Sequence, residues 1–330
     1  MPLHIGVTGP TGEIGMSTIA ALEDHPDVEQ IVGMARRPFD PSEQGWTKTV
    51  YRQGDILDRD AVAGLVAEVD VVVHLAFVIM GSRAESARVN LGGTRNVFEA
   101  TVAAARPRRL VYTSSVAAYG YHSDNPVPIT EDVSPRGSAE HYYSEQKAAC
   151  EAALAEITSG STLEVYVLRP CIVAGPKAPA LADAMPWNRL PERVRRLTGA
   201  LPLPKPPLPD PGTPMQLVHH DDVAAAIALA ATTDSAAPGA YNIAGDGVLS
   251  LSQVGEALGA MPVRVPHMAA VITSEVVSAL PFVPSALEWL HACRTSVVMD
   301  TTKARSELGW RPKFTAAQTL SSLARSRTTV

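Results

Sequence analysis

The sequence predicts a doubly wound α/β fold, a parallel sheet with helices on both faces and a smaller, discontinuous C-terminal lobe. Three observations carry that expectation. Short apolar runs alternate with stretches of helical periodicity through the first half. The runs are apolar at nearly every position, as strands covered on both faces must be. A glycine-rich turn joins the first run to the first helical stretch.

Taken in order, His4–Thr8, Gln30–Met34, Thr49–Arg52, Val71–Leu75, Leu110–Thr113 and Glu164–Leu168 read as buried strands. Between them Glu13–Leu22, Arg59–Val66, Ser86–Ala105 and Ala139–Ile157 read as helices. Residues 1–170 thus form the sheet domain. The composition changes after Pro170, and the proline-rich stretch Pro186–Pro214, with Trp187 among its apolar residues, cannot form a regular helix or a central strand. The chain is expected to return to the sheet domain over residues 216–247, through a helix opening at His219-His220-Asp221-Asp222 and a short strand at Tyr241-Asn242-Ile243. Residues 171–215 and 248–330 are left for the second lobe, which we expect to hold a substrate.

Composition excludes several classes of function. The net charge of −6 and the mixing of both signs leave no basic stripe for a phosphate backbone, so no nucleic-acid partner is expected. The apolar region Met268–Leu290 is broken by Glu275, Pro281, Pro284 and Glu288, and the N-terminus lacks the pattern of a signal peptide, so no membrane partner is expected either. Cys150, Cys171 and Cys293 are scattered and form no disulfide framework, which suits the reducing cytoplasm.

The chemistry begins at Gly9-Pro10-Thr11-Gly12-Glu13-Ile14-Gly15, set between first strand and first helix. Gly9 permits the tight turn, Gly12 lets a pyrophosphate approach the backbone, Gly15 lets helix and strand pack closely, and the anion meets the helix N-terminus. This is the pattern of a Rossmann-type dinucleotide site. At the end of the second strand Arg36-Arg37 replaces the carboxylate that would accept a ribose 2′-hydroxyl. Two guanidiniums suit a 2′-phosphate and favour NADP; read as surface charges, they leave the site to NAD. Asp55-Ile56 after the third strand and Leu75-Ala76-Phe77 after the fourth are placed to line the same cofactor.

A second set of residues supplies proton chemistry. Thr113-Ser114-Ser115 ends the fifth strand, on the sheet edge where ligands bind. Tyr143 and Lys147 share a helix face four residues apart, and an ammonium beside a phenol is expected to lower the phenol toward the working range of an acid or base. Tyr142, out of register, is expected to be structural.

Together these motifs resemble the extended branch of the short-chain dehydrogenase/reductase superfamily, the NAD-dependent epimerase/dehydratase family. Further landmarks extend the likeness over most of the chain: Asn90-Leu91-Gly92-Gly93-Thr94, Tyr119-Gly120, Leu168-Arg169-Pro170 with Gly175-Pro176, Val218-His219-His220-Asp221-Asp222, and Asp300 to Trp310. The resemblance implies a nicotinamide-dependent enzyme. Tyr143 would exchange a proton with the substrate oxygen, Ser115 would hydrogen-bond that oxygen, and Lys147 would hold the nicotinamide ribose. It also brings Asn90, Thr113, Ser114, Pro170, Ile172 and Val173 near the cofactor, and implies a homodimer across the helices Ser86–Ala105 and Ala139–Ile157.

Two departures bear on the substrate. Ile172 stands where sugar-nucleotide epimerases of this kind have Asn, and Met215 where they have Arg, so a diphosphate loses partners and a smaller or more lipophilic carbonyl or alcohol becomes the expectation. No metal is expected at His219-His220-Asp221-Asp222, whose spacing matches no ligand motif, and Cys171 is expected to be structural. A reductase or dehydrogenase that prefers NADP leads; an epimerase or dehydratase with retained NAD, and a non-catalytic NAD(P) sensor, are the rivals.

Overall fold

The computed structural model describes residues 2–79, 82–185, 205–266 and 295–328. Most of Pro186–Pro214, with Trp187, and the whole of Met268–Leu290 and Cys293, lie outside the described residues.

Seven parallel strands form the central sheet: β1 (Leu3–Thr8), β2 (Val28–Ala35), β3 (Thr49–Gln53), β4 (Val71–His74), β5 (Arg109–Thr113), β6 (Glu164–Pro170) and β11 (Gly239–Ile243), in the order β11-β6-β5-β4-β1-β2-β3. The chain winds outward from β1 in one direction to β3 and from β4 in the other to β11. The β1/β4 boundary is therefore the switch point at which a crevice opens beyond the strand ends. Register brings those ends level: Thr8 lies between Met34 and His74, His74 pairs with Tyr112, and Thr113 with Leu168.

Period-two alternation sorts the strand side chains into two cores. Leu3, Ile5 and Val7 of β1 with Val71 and Val73 of β4 face one layer, which buries Ile19 and Leu22 of α1 (Glu13–Glu23). Val72 and Leu110 face the other, with Val62 and Leu65 of α2 (Arg59–Val66) and Phe98. All the expected strands are present, mostly running one or two residues further, as are the helices at Glu13–Leu22 and Arg59–Val66.

Two helices differ from expectation. Ser86–Ala105 is not a single α-helix; α3 (Arg83–Ala87) passes through a π-helical stretch, Arg88–Gly93, into α4 (Thr94–Ala103). Gly93 packs so close to Ile56 that a Cβ there would stand 2.5 Å from its side chain. In the same stretch the fully buried Asn90 spends its amide on the backbone of Val78 and the side chain of Gln146. The wider π turn places that amide where a regular helix would not. The helix expected from Ala139 starts at Tyr142: α5 spans Tyr142–Thr158, and His141 caps its N-terminus by accepting from the Ser144 N–H at 3.2 Å.

Beyond β6 the chain makes β7 (Ile172–Ala174), the short helix α6 (Ala180–Asp183), β8 (Pro207–Asp210), β9 (Pro214–Met215) and β10 (Leu217–His219) before α7 (His220–Thr232) packs beside α1. After β11 come β12 (Leu249–Ser250), α8 (Leu251–Ala257), β13 (Met261–Arg264), α9 (Thr302–Ser306) and α10 (Ala316–Thr328). Three two-stranded sheets, β10 with β7, β12 with β9 and β13 with β8, tie these pieces together. Asp222 secures the C-terminal segment: its carboxylate accepts from the N–H groups of Lys313 and Phe314, and its carbonyl accepts from the Trp310 indole at 2.9 Å.

Candidate active site

The crevice beyond β1–β4 is a cleft of about 260 Å³. Its floor is the turn between β1 and α1. Gly9 has φ +75°, and a Cβ there would meet Ala76 backbone at 2.9 Å; a Cβ on Gly15 would stand 2.2 Å from the Gly9 carbonyl oxygen. At Gly12 the same addition meets only the Gly9 oxygen, at 3.4 Å, so the floor is open above it. Gly12 is also the N-cap of α1 and offers no side-chain acceptor to the first-turn N–H groups. An open cradle over uncapped helix donors fits a pyrophosphate.

The walls come from the strand ends. Thr11, Arg36, Arg37, Asp55, Ile56, Leu75, Ala76 and Phe77 line the cleft with the glycine floor. The backbone carrying the two arginines is held from β3: the Tyr51 hydroxyl shares its one proton between the carbonyls of Ala35 and Arg37, and Gln53 Nε2 donates to that of Arg36. Both side chains are exposed, and among the described residues neither pairs with a carboxylate. Asp55 spends one carboxylate oxygen on the Leu57 N–H at 3.0 Å. Met34, Ala35, Gly54, Val78 and Val89 also line the cleft and were not among the expected site residues. All five lie close in sequence to residues that were, Val78 beside Phe77 and Val89 beside Asn90 on the π turn.

Other expected residues stand elsewhere. The Glu13 carboxyl, raised by burial with the Ala180 backbone opposing, turns toward α6, and Ile14 packs on the first core. Asn90 holds the cleft wall from behind. Pro170 ends β6, while Ile172 and Val173 are committed to β7 and its pairing with Leu217 and Val218. Ser114 donates to the Glu151 carboxylate at 2.5 Å, and Glu151 receives Arg169 on both oxygens.

Ser115, Tyr143 and Lys147 are brought together at the ends of β5 and α5. Ser115 Oγ faces the Tyr143 phenol and opposes the effect of burial on it, and the Lys147 ammonium donates to the Thr113 carbonyl at 2.9 Å. Phe77 joins this group to the cleft: its ring is edge-on to Tyr143 with centroids 5.5 Å apart. Thr113 Oγ1 is buried without a hydrogen-bond partner, which suits a polar group brought by a ligand.

The expected lowering of the phenol is not what the protein alone displays. Burial raises Tyr143, with the Ser115 hydrogen bond opposing it, because the Lys147 ammonium points to Thr113 and stands 5.9 Å from the Tyr143 ring centre. Burial also takes Lys147 down to about 8, with the Glu151 charge opposing it. His74, held between the hydroxyls of Thr8 and Thr94, is pushed down to about 3 by burial and by Lys147, and stays neutral.

His219, His220 and Asp221 bring possible ligand atoms within 4.8 Å of one another. His220 Nε2 accepts the Lys177 N–H at 3.2 Å and its Nδ1 faces Ser17 Oγ and the Asp221 carboxylate, so both nitrogens are engaged. His219 Nδ1 caps α7 by accepting the Asp221 N–H. The Cys171 thiol is buried and raised well out of reach of ordinary pH.

A dinucleotide cradle at the switch point of a parallel sheet, with a serine, a tyrosine and a lysine at its end, defines a nicotinamide-dependent enzyme of the extended short-chain dehydrogenase/reductase type. The chain belongs to the NAD dependent epimerase/dehydratase family, whose model matches residues 5–244. It is 27% identical over 334 residues to the uncharacterized protein Rv0501 of Mycobacterium tuberculosis, covering 99% of this chain and 84% of that one. Its fold is similar to MoeE5 in complex with UDP-glucose and NAD, with a TM-score of 0.72 at 22% identity over 99% of both chains. It is also similar to the UDP-glucose 4-epimerase of Thermotoga maritima with UDP-glucose, at a TM-score of 0.72 and 19% identity over 99% of both chains. No helix among the described residues is long and apolar enough to cross a membrane.

A titration follows from the buried lysine. Between about pH 8 and the ordinary 10.5 the unfolded chain keeps a proton that the folded chain has released, so Lys147 makes stability rise with pH over that window. In urea midpoints compared from below pH 8 to pH 10.5, wild type should gain on Lys147→Met as pH rises; a constant difference would remove the buried-lysine assignment.

Proposed function

We propose that the protein moves a hydride between a nicotinamide cofactor, NADP in preference to NAD, and the carbonyl or hydroxyl carbon of a small or lipophilic substrate. The observation that carries this reading is the convergence of Ser115, Tyr143 and Lys147 on the end of the dinucleotide cleft, joined to it by Phe77. The glycine floor would hold the pyrophosphate, Asp55 the adenosine end, and Arg36 with Arg37 a 2′-phosphate. Bound nicotinamide supplies or takes up the hydride. Tyr143, kept protonated by burial, is a proton donor to a carbonyl oxygen that gains negative charge, and Ser115 Oγ is the second donor to that oxygen. Lys147 then lies where its ammonium can hold a ribose hydroxyl and favour the phenolate once the proton has left.

Residues 171–215 and 248–330 form the substrate lobe in this reading, and the rest the cofactor domain. Ile172 packs against the apolar cluster of Ala174, Leu217 and Leu249, as does Met215, so neither offers a partner to a diphosphate. A second reading, an epimerase or dehydratase that retains NAD, is favoured by the sugar nucleotide and NAD named with the MoeE5 structure. The protein would act in the cytoplasm as a homodimer, with α4 and α5 packed side by side, and with Leu91 of the π-helical stretch and Ala149 and Ala152 of α5 exposed toward the partner.

Fluorescence titration with NADPH and NADH, followed by a ketone and aldehyde screen at ~340 nm, where reduced nicotinamide absorbs, tests the reaction. Exchangeable NADPH with steady oxidation supports the reductase, whereas tightly retained NAD without net turnover favours the second reading. Tyr143→Phe should cost about 10²- to 10⁴-fold in turnover and leave cofactor affinity nearly unchanged; retained activity would overturn the proton assignment. Arg36→Ala with Arg37→Ala should weaken NADPH binding by about 10- to 100-fold and spare NADH, and equal affinities in the wild type would end the NADP preference. Sedimentation should give a dimer, and a monomer at working concentration would exclude that interface.

A further inference from the structure

The Phe77 ring faces the buried ammonium as well as the cleft. Lys147 Nζ stands 3.7 Å from the centroid of that ring, with the Tyr112 ring next at 5.1 Å. The side chain is buried, and its hydrogen bond goes to the Thr113 carbonyl. Among the described residues no carboxylate lies within ion-pair distance of Lys147. An ammonium has three donors, and leaving a buried charge without a counter-ion is costly. An aromatic face at this distance supplies part of the missing stabilisation through its quadrupole.

We propose that Phe77 is a positioning residue: its face stands in for the absent counter-ion, keeps Lys147 cationic in the cofactor-free protein, and holds the ammonium at the mouth of the dinucleotide cleft. The groups facing the ammonium leave few alternatives. His74 on β4 is neutral. On β5 stand the Thr113 carbonyl and the Tyr112 phenol, whose proton burial retains. On α5 itself, Tyr143 and Cys150 are held protonated by burial, and the Glu151 carboxylate is spent bidentately on Arg169. Phe77 therefore offers the nearest attractive surface other than the Thr113 carbonyl. The edge-on contact with Tyr143 means that the same ring also fixes the phenol.

The site role rests on the active-site reading above; the electrostatic role does not, and can be measured without a cofactor. The chain has six lysines, so protein labelled with [6-¹³C]lysine gives few Cε signals, and Lys147→Arg assigns the one that matters. Removing the aromatic face destabilises the cation, so Phe77→Leu should lower the Lys147 titration midpoint by about one pH unit, while Phe77→Tyr, which keeps the face, should leave it near the wild-type value. Phe77→Met preserves most of the bulk and repeats the test if the leucine variant does not fold. A midpoint unmoved in a folded Leu or Met variant would overturn the proposal. NADPH titration of the wild type separates the two claims: binding with an unmoved midpoint removes only the Phe77 role, and a shifted midpoint without binding supports that role and removes the cofactor reading.

Discussion

Taking an ammonium out of water costs several kcal/mol unless its donors find partners, and Lys147 sets that cost at the carboxyl edge of the sheet. Meeting it requires β5 to end where the Thr113 carbonyl points outward, α5 to begin at Tyr142, just over one turn before the lysine, and the β4 exit to present Phe77. Each requirement constrains another element. The register of β4 against β5 levels His74 with Tyr112, and α5 starts where His141 can cap it. The lysine is thus a point at which strand register, helix start and loop course have to agree.

Behind it lies a second buried charge that is fully paired. Arg169 reaches Glu151 with two nitrogens, and Glu151 in turn receives Ser114. The remaining guanidinium nitrogen donates to the Tyr119 hydroxyl, which donates to Asn242 Oδ1 at 2.7 Å. Asn242 Nδ2 completes the chain by donating to the carbonyls of Ile129 and Asp300. This network runs from α5 through the ends of β5 and β6 to β11 and the C-terminal segment. Such an ion pair adds little net stability over apolar packing, but losing either partner strands a charge. Its evident consequence is geometric, because Ser114 cannot shift without disturbing Glu151, and Ser115 follows in the chain.

Much of this was legible in the residues. Strands buried on both faces announce themselves as unbroken apolar runs, and Val71–His74 and Arg109–Thr113 fall where the pattern puts them. The glycine floor was legible because Gly9, Gly12 and Gly15 answer to backbone geometry. Where expectation and structure part, the cause is tertiary. Residues 88–93 keep helical periodicity, and nothing local reveals that Asn90 must reach Val78 and Gln146 through a π turn. Spacing put Tyr143 and Lys147 on one face, but spacing cannot report where an ammonium aims, and Thr113 with Phe77 draws it from the phenol. Glu151 had no visible role until β6 placed Arg169 against it.

The proposed preference for NADP rests on how the two arginines are held. Arg36 and Arg37 are exposed, and an exposed guanidinium on a free loop has little preference for one ion over another. Here the loop is not free: from β3, Tyr51 shares its hydroxyl proton between the Ala35 and Arg37 carbonyls and Gln53 holds the Arg36 carbonyl between them. The side chains therefore leave a held backbone beside the cleft, with no carboxylate among the described residues to neutralise them. Bidentate recognition of a phosphate loses less entropy from such a platform than from a mobile one. That argument supports a 2′-phosphate more strongly than the two residue types alone, because it rests on what β3 does to β2.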